Sequence, residues 1–293
     1  MHRLEDDTPE RELPTLSQLI TAATATLARA GVASPRVDAE LLAAHVLGVP
    51  RSRLLTAAVT GPQAGELKRL VARRAAREPL QHLTGTAPFY GLELAVGPGV
   101  FIPRFETELL VEWALKQPAR RVVDLCSGSG AIAVAFATRR PEAEVHCVER
   151  SERALPWLRE NVARLAPAVR VVEADVSDGS MLSDLSGTVD LLLCNPPYVP
   201  EATPVDVEVA EHDPHDAVFA GDDGLALMPA IARAAARLLR PGGRLAIEHD
   251  DTQGESLPQL LRGTGLFTAV EDHRDLAGRP RFVTANRGDR HRD

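Results

Sequence analysis

The clearest candidates for chemistry are the four consecutive residues Asn195, Pro196, Pro197 and Tyr198, which follow the apolar run at 190–194. An amide or exocyclic amine nitrogen is a poor nucleophile because its lone pair is delocalised. A site that uses one must therefore hold the NH₂ group in a fixed orientation. The side-chain carbonyl of Asn195 and the backbone carbonyl of Pro196 can each accept one N–H bond. The pattern predicts a pair of acceptors for a planar NH₂ group.

Two prolines and an aromatic ring favour a rigid site. Pro196 and Pro197 fix the backbone φ and remove competing N–H donors, and Tyr198 offers a flat face for the substrate group. Proline pairs are also common in ordinary loops, so the tetrapeptide alone leaves that alternative open. Its place after a strand favours the chemical interpretation. We expect Asn195, Pro196 and Tyr198 to be catalytic, and all four residues to bind the substrate.

A glycine-rich turn upstream is the second candidate. It covers residues 126–130 and follows the apolar run Arg121–Leu125. Gly128 and Gly130 allow the backbone to approach a ligand closely and to start a helix without a Cβ clash. Asp124, at the end of the strand, can accept hydrogen bonds from a ligand amine or from the N–H groups of the turn. The turn predicts a ligand site at the end of this strand.

Acidic residues end the next two predicted strands. Glu149 lies roughly twenty residues further on, where an acidic side chain can bind both hydroxyls of a ribose. Asp175 or Val176 follows the third strand and is placed to contact an adenine. These positions predict a nucleoside-containing cofactor bound across the carboxyl ends of the strands.

The turn departs from the dinucleotide fingerprint, because Cys126 and Ala133 stand where its first and third glycines would be. The negative charge of Asp124 would also repel a pyrophosphate. It suits a cofactor with an ammonium and a sulfonium, which is S-adenosylmethionine, with S-adenosylhomocysteine as the product. A tight turn without a ligand and a nicotinamide-dependent enzyme remain as alternatives.

The elements that position these residues alternate between strand and helix. Five short apolar runs are predicted to be strands, and two late runs a closing antiparallel pair: 121–125, 144–149, 169–174, 189–194, 244–249, 267–273 and 281–285. Helices are predicted at 131–139, from Ser151 to about Leu165, and from Gly224 to Leu239, the last stopped by Pro241-Gly242-Gly243. This is an α/β pattern: a doubly wound, mostly parallel seven-stranded sheet with helices on both faces, of the Rossmann-like class I methyltransferase type. The first and fourth strands should be neighbours at its switch point.

The first part of the chain has a different character. Helices are predicted after Thr15, after Ser34-Pro35 and around Leu67–Val71, with Gly31 and Gly48 as stops. Short glycine-punctuated runs then indicate a hairpin-like connector. We expect a small helical bundle at 1–83, the connector at 84–102, the methyltransferase domain at 103–287 and a frayed tail at 288–293.

Composition excludes several classes. The 293 residues carry a formal net charge of −8, which disfavours bare nucleic acid as the substrate. The three cysteines fit neither a disulfide framework nor a zinc motif. Residues Met1–Arg11 lack the apolar core of a signal peptide, and no apolar run approaches the ~18 residues of a membrane span. We expect a soluble, cytoplasmic protein with no membrane association.

The chain resembles the release-factor glutamine methyltransferases, the HemK/PrmC type, over nearly its whole length. Besides Asn195–Tyr198, the motifs that carry the resemblance are Pro79–Gly85, Phe89–Gly91, Phe101–Glu108 and Asp275–Arg279. The tetrapeptide is shared with DNA adenine and some RNA guanine methyltransferases, whereas the Ile-Pro-Arg stretch and the helical front domain are more specific.

The resemblance implies methylation of the glutamine side-chain amide (N5) in the Gly-Gly-Gln loop of class-1 peptide-chain release factors, which the helical front domain would help to dock. It implies that Asn195–Tyr198 hold the glutamine and that Phe101 and Pro103 close over the cofactor. With the turn analysis, the expected cofactor-binding residues are Phe101, Pro103, Asp124, Cys126, Ser127, Gly128, Ser129, Gly130, Glu149, Asp175, Val176 and Asn195. The alternative is a nucleic-acid methyltransferase acting on adenine N6 or guanine N2.

Two charged clusters have weaker functional interpretations. His212, Asp213, His215 and Asp216 follow the tetrapeptide, but their spacing fits no familiar metal motif, so we expect a solvated loop or a lid and no metal. The arginines at 69, 73 and 77 could contact an acidic partner, but a solvated helix face is the preferred interpretation.

Overall fold

The computed structural model describes residues 13–289, which fall into two compact units, one ending at Thr84 and the other beginning at Gly85. The expectations for Met1–Arg11 and for the tail residues 290–293 lie outside these residues. Within the described part of the chain, no helix combines the length and apolar character that crossing a membrane requires.

The first unit is helical, as the sequence predicts. Its α-helices are α1 (Leu16–Arg29), α2 (Pro35–Leu47), α3 (Gly61–Ala75) and α4 (Leu80–Thr84). Thr15 and Thr60 begin α1 and α3 with complete capping boxes, which satisfy N–H groups that a helix start leaves unpaired. Gly48 ends α2 in the left-handed conformation, with φ 65°. The apolar faces of these helices share one core.

The arginines of α3 lie on a largely solvated surface. Arg69 pairs with Glu66 at 2.6 Å and Arg73 with Glu78 at 2.5 Å, and both arginine side chains are more than a third exposed. Arg77 lies beyond the end of α3. Arg69 and Arg73 agree with the interpretation of a solvated helix face, whereas Arg77 lies off the helix and its guanidinium donates to the Gly31 carbonyl at 2.7 Å.

The second unit begins with an antiparallel hairpin of β1 (Thr86–Phe89) and β2 (Leu92–Ala95). A seven-stranded sheet follows, with the order β5-β4-β3-β6-β7-β9-β8. Its strands are β3 (Arg121–Leu125), β4 (Glu144–Glu149), β5 (Arg170–Glu173), β6 (Val189–Cys194), β7 (Leu239–Glu248), β8 (Phe267–Arg274) and β9 (Pro280–Arg287). Strands β3 to β7 are parallel, and β9 runs antiparallel to both of its neighbours. The predicted α/β fold is confirmed.

Helices cover both faces of this sheet. The helices of this unit are α5 (Thr107–Leu115), α6 (Ala131–Arg139), α7 (Leu155–Leu165), α8 (Val207–His212), α9 (His215–Val218), α10 (Met228–Leu238) and α11 (Ser256–Gly263), of which α5, α6, α7, α10 and α11 pack against the sheet. Alternate strand residues enter different cores: Val123 and Leu192 pack with α10 and α11, whereas Val122 and Leu191 pack with α5, α6 and α7. Burial on both faces explains why these strands read as continuous apolar runs.

The neighbouring strands β3 and β6 form the switch point. From β3 the chain builds outward through β4 and β5, then returns to place β6 on the other side of β3. Leu125 is in register with Cys194, so the turn after β3 and the tetrapeptide after β6 leave the sheet side by side. The predicted neighbourhood of the first and fourth strands is confirmed.

The boundaries around β7 differ from the prediction. The helix α10 ends at Leu238, and β7 already begins at Leu239, so Pro241-Gly242-Gly243 lies within the strand. The pairing of β6 with β7 is irregular there, because Val189 faces Leu239 whereas Leu191 faces Arg244. A bulged segment takes up the extra residues. The helices predicted from Gly224 and from Ser151 begin later, at Met228 and at Leu155.

Candidate active site

A cavity of about 380 Å³ lies at the carboxyl ends of β3, β4, β5 and β6. Ligands of α/β sheets bind at this position. Most of the predicted site residues line it: Phe101, Pro103, Cys126, Ser127, Gly128, Ser129, Glu149, Asp175, Val176, Asn195, Pro196, Pro197 and Tyr198. Asp124 and Gly130 are not among its lining residues. The structure therefore brings all but two of the predicted site residues to one cavity, and those two lie outside its lining.

The glycine-rich turn has three residues with positive φ: Cys126 at 56°, Gly128 at 55° and Gly130 at 83°. Gly128 lines the cavity, and a Cβ added to it meets nothing within 4 Å. Gly130 instead starts α6, and an added Cβ would lie 2.6 Å from Leu158 Cδ1. Gly128 therefore leaves space for a ligand, whereas Gly130 allows close packing of the turn on α7.

The Glu149 carboxylate is held by backbone amides. Oε2 accepts from the Gly128 N–H at 2.7 Å, and Oε1 accepts from the N–H groups of Arg150 at 2.8 Å and Ser151 at 2.7 Å. Each carboxylate oxygen can accept more than one hydrogen bond. The side chain is therefore fixed at the cavity wall with acceptor capacity left, which suits recognition of ribose hydroxyls.

Asp124 is a buried carboxylate behind the turn, 1% exposed. Neither of its carboxylate oxygens has a hydrogen-bond partner within residues 13–289, and the Ser127 hydroxyl donates to its backbone carbonyl at 2.9 Å. Burial raises the pKa of Asp124 to about 7, against the lowering effects of the nearby Ser127 hydroxyl and Ala133 N–H group. The side chain does not bind the N–H groups of the turn, one of the two roles the sequence suggested. Among the described residues, no cation forms an ion pair with this carboxylate.

The tetrapeptide presents two acceptor oxygens. Asn195 Nδ2 donates to Thr107 Oγ1 at 3.1 Å. No residue between 13 and 289 donates a hydrogen bond to Asn195 Oδ1 or to the Pro196 carbonyl. Both residues line the cavity. These are the two oxygens that the sequence predicted to receive an NH₂ group.

Tyr198 is fixed at its side chain and its backbone. Its hydroxyl donates to Glu248 Oε1 at 3.0 Å, and its N–H donates to the Val218 carbonyl at 3.2 Å. Its carbonyl accepts from Gln253 Nε2 at 2.9 Å. A Cβ on Gly224 would lie 2.0 Å from this carbonyl, so only glycine fits there. The tetrapeptide is consequently held from several directions.

Two further segments complete the wall of the cavity. Arg104 forms an ion pair with the buried Asp213 at 2.5 Å, and its guanidinium lies 4.8 Å from the centre of the Phe101 ring. Arg150 pairs with Asp175 at 3.2 Å and with Asp216 at 3.6 Å. Asp213 and Asp216 are therefore joined by ion pairs to Arg104 and Arg150, which both line the cavity. Across residues 13–289, no group of three or more His, Cys, Asp or Glu residues is arranged to hold a metal ion.

Sequence reasoning missed the residues that orient the tetrapeptide. They are Thr107, Glu248 and Gln253, each more than nine-tenths buried. Asn161 was missed too: its Nδ2 donates to the Ser129 carbonyl at 3.0 Å and so supports the glycine-rich turn. Thr107 lies in the Phe101–Glu108 motif, and that motif was the available signal for it.

Comparisons with known proteins agree with this site. Residues 18–85 match the PrmC N-terminal domain, and residues 93–212 match the methyltransferase small domain. The release factor glutamine methyltransferase of Mycolicibacterium smegmatis is 53% identical over 276 residues, which cover 93% of this chain and 98% of that protein. The enzymes of the same name from Streptomyces coelicolor and Corynebacterium glutamicum are 48% and 46% identical, and cover 92% and 93% of this chain and 96% and 99% of their own lengths. The chain therefore belongs to the family of release factor glutamine methyltransferases.

Proposed function

We propose that this chain transfers a methyl group from S-adenosylmethionine to the side-chain amide nitrogen (N5) of the glutamine in the Gly-Gly-Gln motif of class-1 release factors. The observation that carries the proposal is the pair of acceptors, Asn195 Oδ1 and the Pro196 carbonyl, beside a nucleoside-sized cavity. A primary amide has two N–H donors, which is the number this pair can accept.

The cavity suits S-adenosylmethionine. Gly128 leaves room at the wall, and Glu149 has acceptor capacity for ribose hydroxyls. No cation in the described part of the chain is paired with Asp124, and at short range in a poorly solvated site its negative charge attracts a positively charged ligand. When bound, the cofactor supplies a methyl group made electrophilic by its sulfonium. We propose that the residues predicted from the sequence, with Asp124 acting through its charge, form this cofactor site.

The protein's contribution is to position the substrate amide and to exclude water. Asn195 and Pro196 would each accept one N–H and so fix the plane of the amide, while Tyr198 packs against it. Pro196 is buried, and the others are largely covered, so these contacts form away from bulk solvent. Fixed geometry and desolvation are large contributions to rate when the electrophile is already activated.

We propose that the helical unit, residues 1–83, contributes to binding the release factor, with 84–102 as a connector, 103–287 as the methyltransferase domain and 288–293 as a tail. The break between Thr84 and Gly85 and the match to the PrmC N-terminal domain support this division. A substrate that acts in translation also supports a cytoplasmic location without membrane association.

The main alternative is methylation of adenine N6 or guanine N2 in nucleic acid, since the same acceptor pair suits an exocyclic amine. The net charge of −8 favours a protein substrate. Transfer of labelled methyl groups to a release factor, to the same factor with its Gly-Gly-Gln glutamine replaced by alanine, and to DNA and RNA tests the proposal. We expect label only on the release factor that retains its Gly-Gly-Gln glutamine. Label on nucleic acid, or equal label on both release factors, would reverse the assignment.

A further inference from the structure

A buried carboxylate lies behind the tetrapeptide. Glu248 ends β7 and is 1% exposed. Its Oε1 accepts from the Tyr198 hydroxyl at 3.0 Å, whereas Oε2 has no hydrogen-bond partner among the described residues. Glu248 does not line the cavity. A carboxylate so fully buried is costly to keep ionised, which indicates a role beyond packing.

Thr107 connects Glu248 to the acceptor pair. Its hydroxyl oxygen accepts from Asn195 Nδ2, and the same hydroxyl lowers the pKa of the Glu248 carboxyl, with which it does not form a complete hydrogen bond in this structure. A hydroxyl has a single proton. When that proton is directed toward an ionised carboxylate, the Thr107 oxygen can only accept on its other side. Asn195 must then turn its NH₂ group toward Thr107.

We propose that Glu248 is a positioning residue for methyl transfer. As an ionised acceptor, it directs the hydroxyls of Thr107 and Tyr198 toward itself. The Asn195 amide is thereby held with its oxygen, and not its NH₂ group, facing the substrate nitrogen. This inference rests on the proposed function, because it concerns the same acceptor pair.

The charge state of Glu248 provides a way to test this. Burial raises its pKa to about 7, and the negative charge of Glu106 acts in the same direction. The hydroxyls of Thr107 and Tyr198 and the nearby Arg281 act in the opposite direction and lower the pKa. A protonated Glu248 is a donor, which releases the Thr107 hydroxyl to donate to Asn195 Oδ1 and favours the flipped amide. Turnover should therefore rise with pH through about 7.

The backbone of the tetrapeptide is held independently of Glu248. Val218 and Gln253 bind the Tyr198 N–H and carbonyl, respectively. Replacing Glu248 by glutamine keeps its size but adds an NH₂ donor. The fold and the cofactor site should therefore persist while the orientation of the Asn195 amide becomes mixed.

The experiment compares wild type, Glu248→Gln and the exposed control Glu255→Gln. We expect Glu248→Gln to lower kcat about 10- to 100-fold, to leave the S-adenosylmethionine Kd within about twofold, and to lose the part of the kcat rise near pH 7 that Glu248 causes. Glu255→Gln should match wild type. Asp124 also titrates near pH 7, so the difference between the two profiles isolates Glu248.

A second pair of variants separates positioning from packing. Thr107→Ser keeps the hydroxyl and should keep most of the turnover, whereas Thr107→Val keeps the shape and should lose about as much kcat as Glu248→Gln. The inference would be overturned if Glu248→Gln had the kcat and the pH profile of the wild type. It would also be overturned if Thr107→Ser and Thr107→Val lost kcat to the same extent. Wild type that fails to methylate the glutamine at all would instead refute the proposed function.

Discussion

Asn195 Nδ2 donates a hydrogen bond to Thr107 Oγ1, 88 residues earlier in the chain, at 3.1 Å. This contact decides which end of the Asn195 amide can meet a substrate. With the NH₂ group committed to Thr107, the oxygen is left to accept. The bond joins the start of α5 to the end of β6, so the substrate acceptor depends on two elements and not on the tetrapeptide alone.

Replacing Asn195 by alanine should remove one of the two acceptors while sparing most cofactor contacts. We expect kcat to fall about 100-fold or more, the range seen when one preorganised hydrogen-bonding group is removed. The Kd for S-adenosylmethionine should change by less than about threefold. Steady-state kinetics on a release factor and calorimetric titration of the cofactor measure the two quantities. A Kd that rises in step with the loss of kcat would contradict the role in substrate positioning.

The sequence predicted the sheet, its switch point and the tetrapeptide because these features are local. Apolar runs mark the strands, and a parallel sheet places their carboxyl ends at one edge. It could not predict that Glu248 binds Tyr198, because that contact joins residues 50 positions apart and no periodicity records it. The sequence predicted the end of α10 to within one residue, but it predicted the next strand from Arg244, whereas β7 begins at Leu239 and contains Pro241-Gly242-Gly243. This tripeptide is typical of a turn, but the chain bulges within β7 instead.

The buried charge of Asp124 should make stability depend on pH. Its folded-state pKa of about 7 lies above the ordinary value of 3.8 for this carboxyl group. Between these values the unfolded chain has lost the proton that the folded chain retains, so the free energy of unfolding falls as pH rises. The effect is about 1.4 kcal/mol per pH unit and amounts to roughly 4 kcal/mol above pH 7.

Asp124→Asn removes this contribution. Its stability relative to wild type should increase from pH 4 to pH 7 in urea denaturation, while the exposed control Asp222→Asn should show no such trend. A difference between Asp124→Asn and wild type that stays constant with pH would argue against a raised pKa.

The same carboxylate should tune cofactor affinity. A cationic cofactor favours ionised Asp124, so the wild-type affinity for S-adenosylmethionine should increase as pH rises from about 5.5 to about 7.2, below the pKa range of an α-amino group. Asp124→Asn should bind more weakly and lose most of this dependence. Calorimetric titration at both pH values tests it. An unchanged pH dependence in the variant would assign the effect to another acid.

The two glycines of the turn should fail in different ways when changed to alanine. Gly130→Ala combines φ +83° with a contact of 2.6 Å to Leu158 Cδ1, so we expect a loss of about 2–4 kcal/mol in unfolding free energy. Gly128→Ala has φ +55° but open space, so we expect about 1 kcal/mol and a weaker cofactor affinity, because the new methyl enters the cavity. Denaturation and titration of both variants check this. The opposite ranking in stability would contradict the assigned roles.

The most direct test of the central claim is tandem mass spectrometry of a class-1 release factor after incubation with this enzyme and S-adenosylmethionine. The account predicts a gain of one methyl group, located on the side-chain nitrogen of the Gly-Gly-Gln glutamine and absent when Asn195→Ala replaces the wild type. An unmodified glutamine, or a methyl group on another residue, would contradict it.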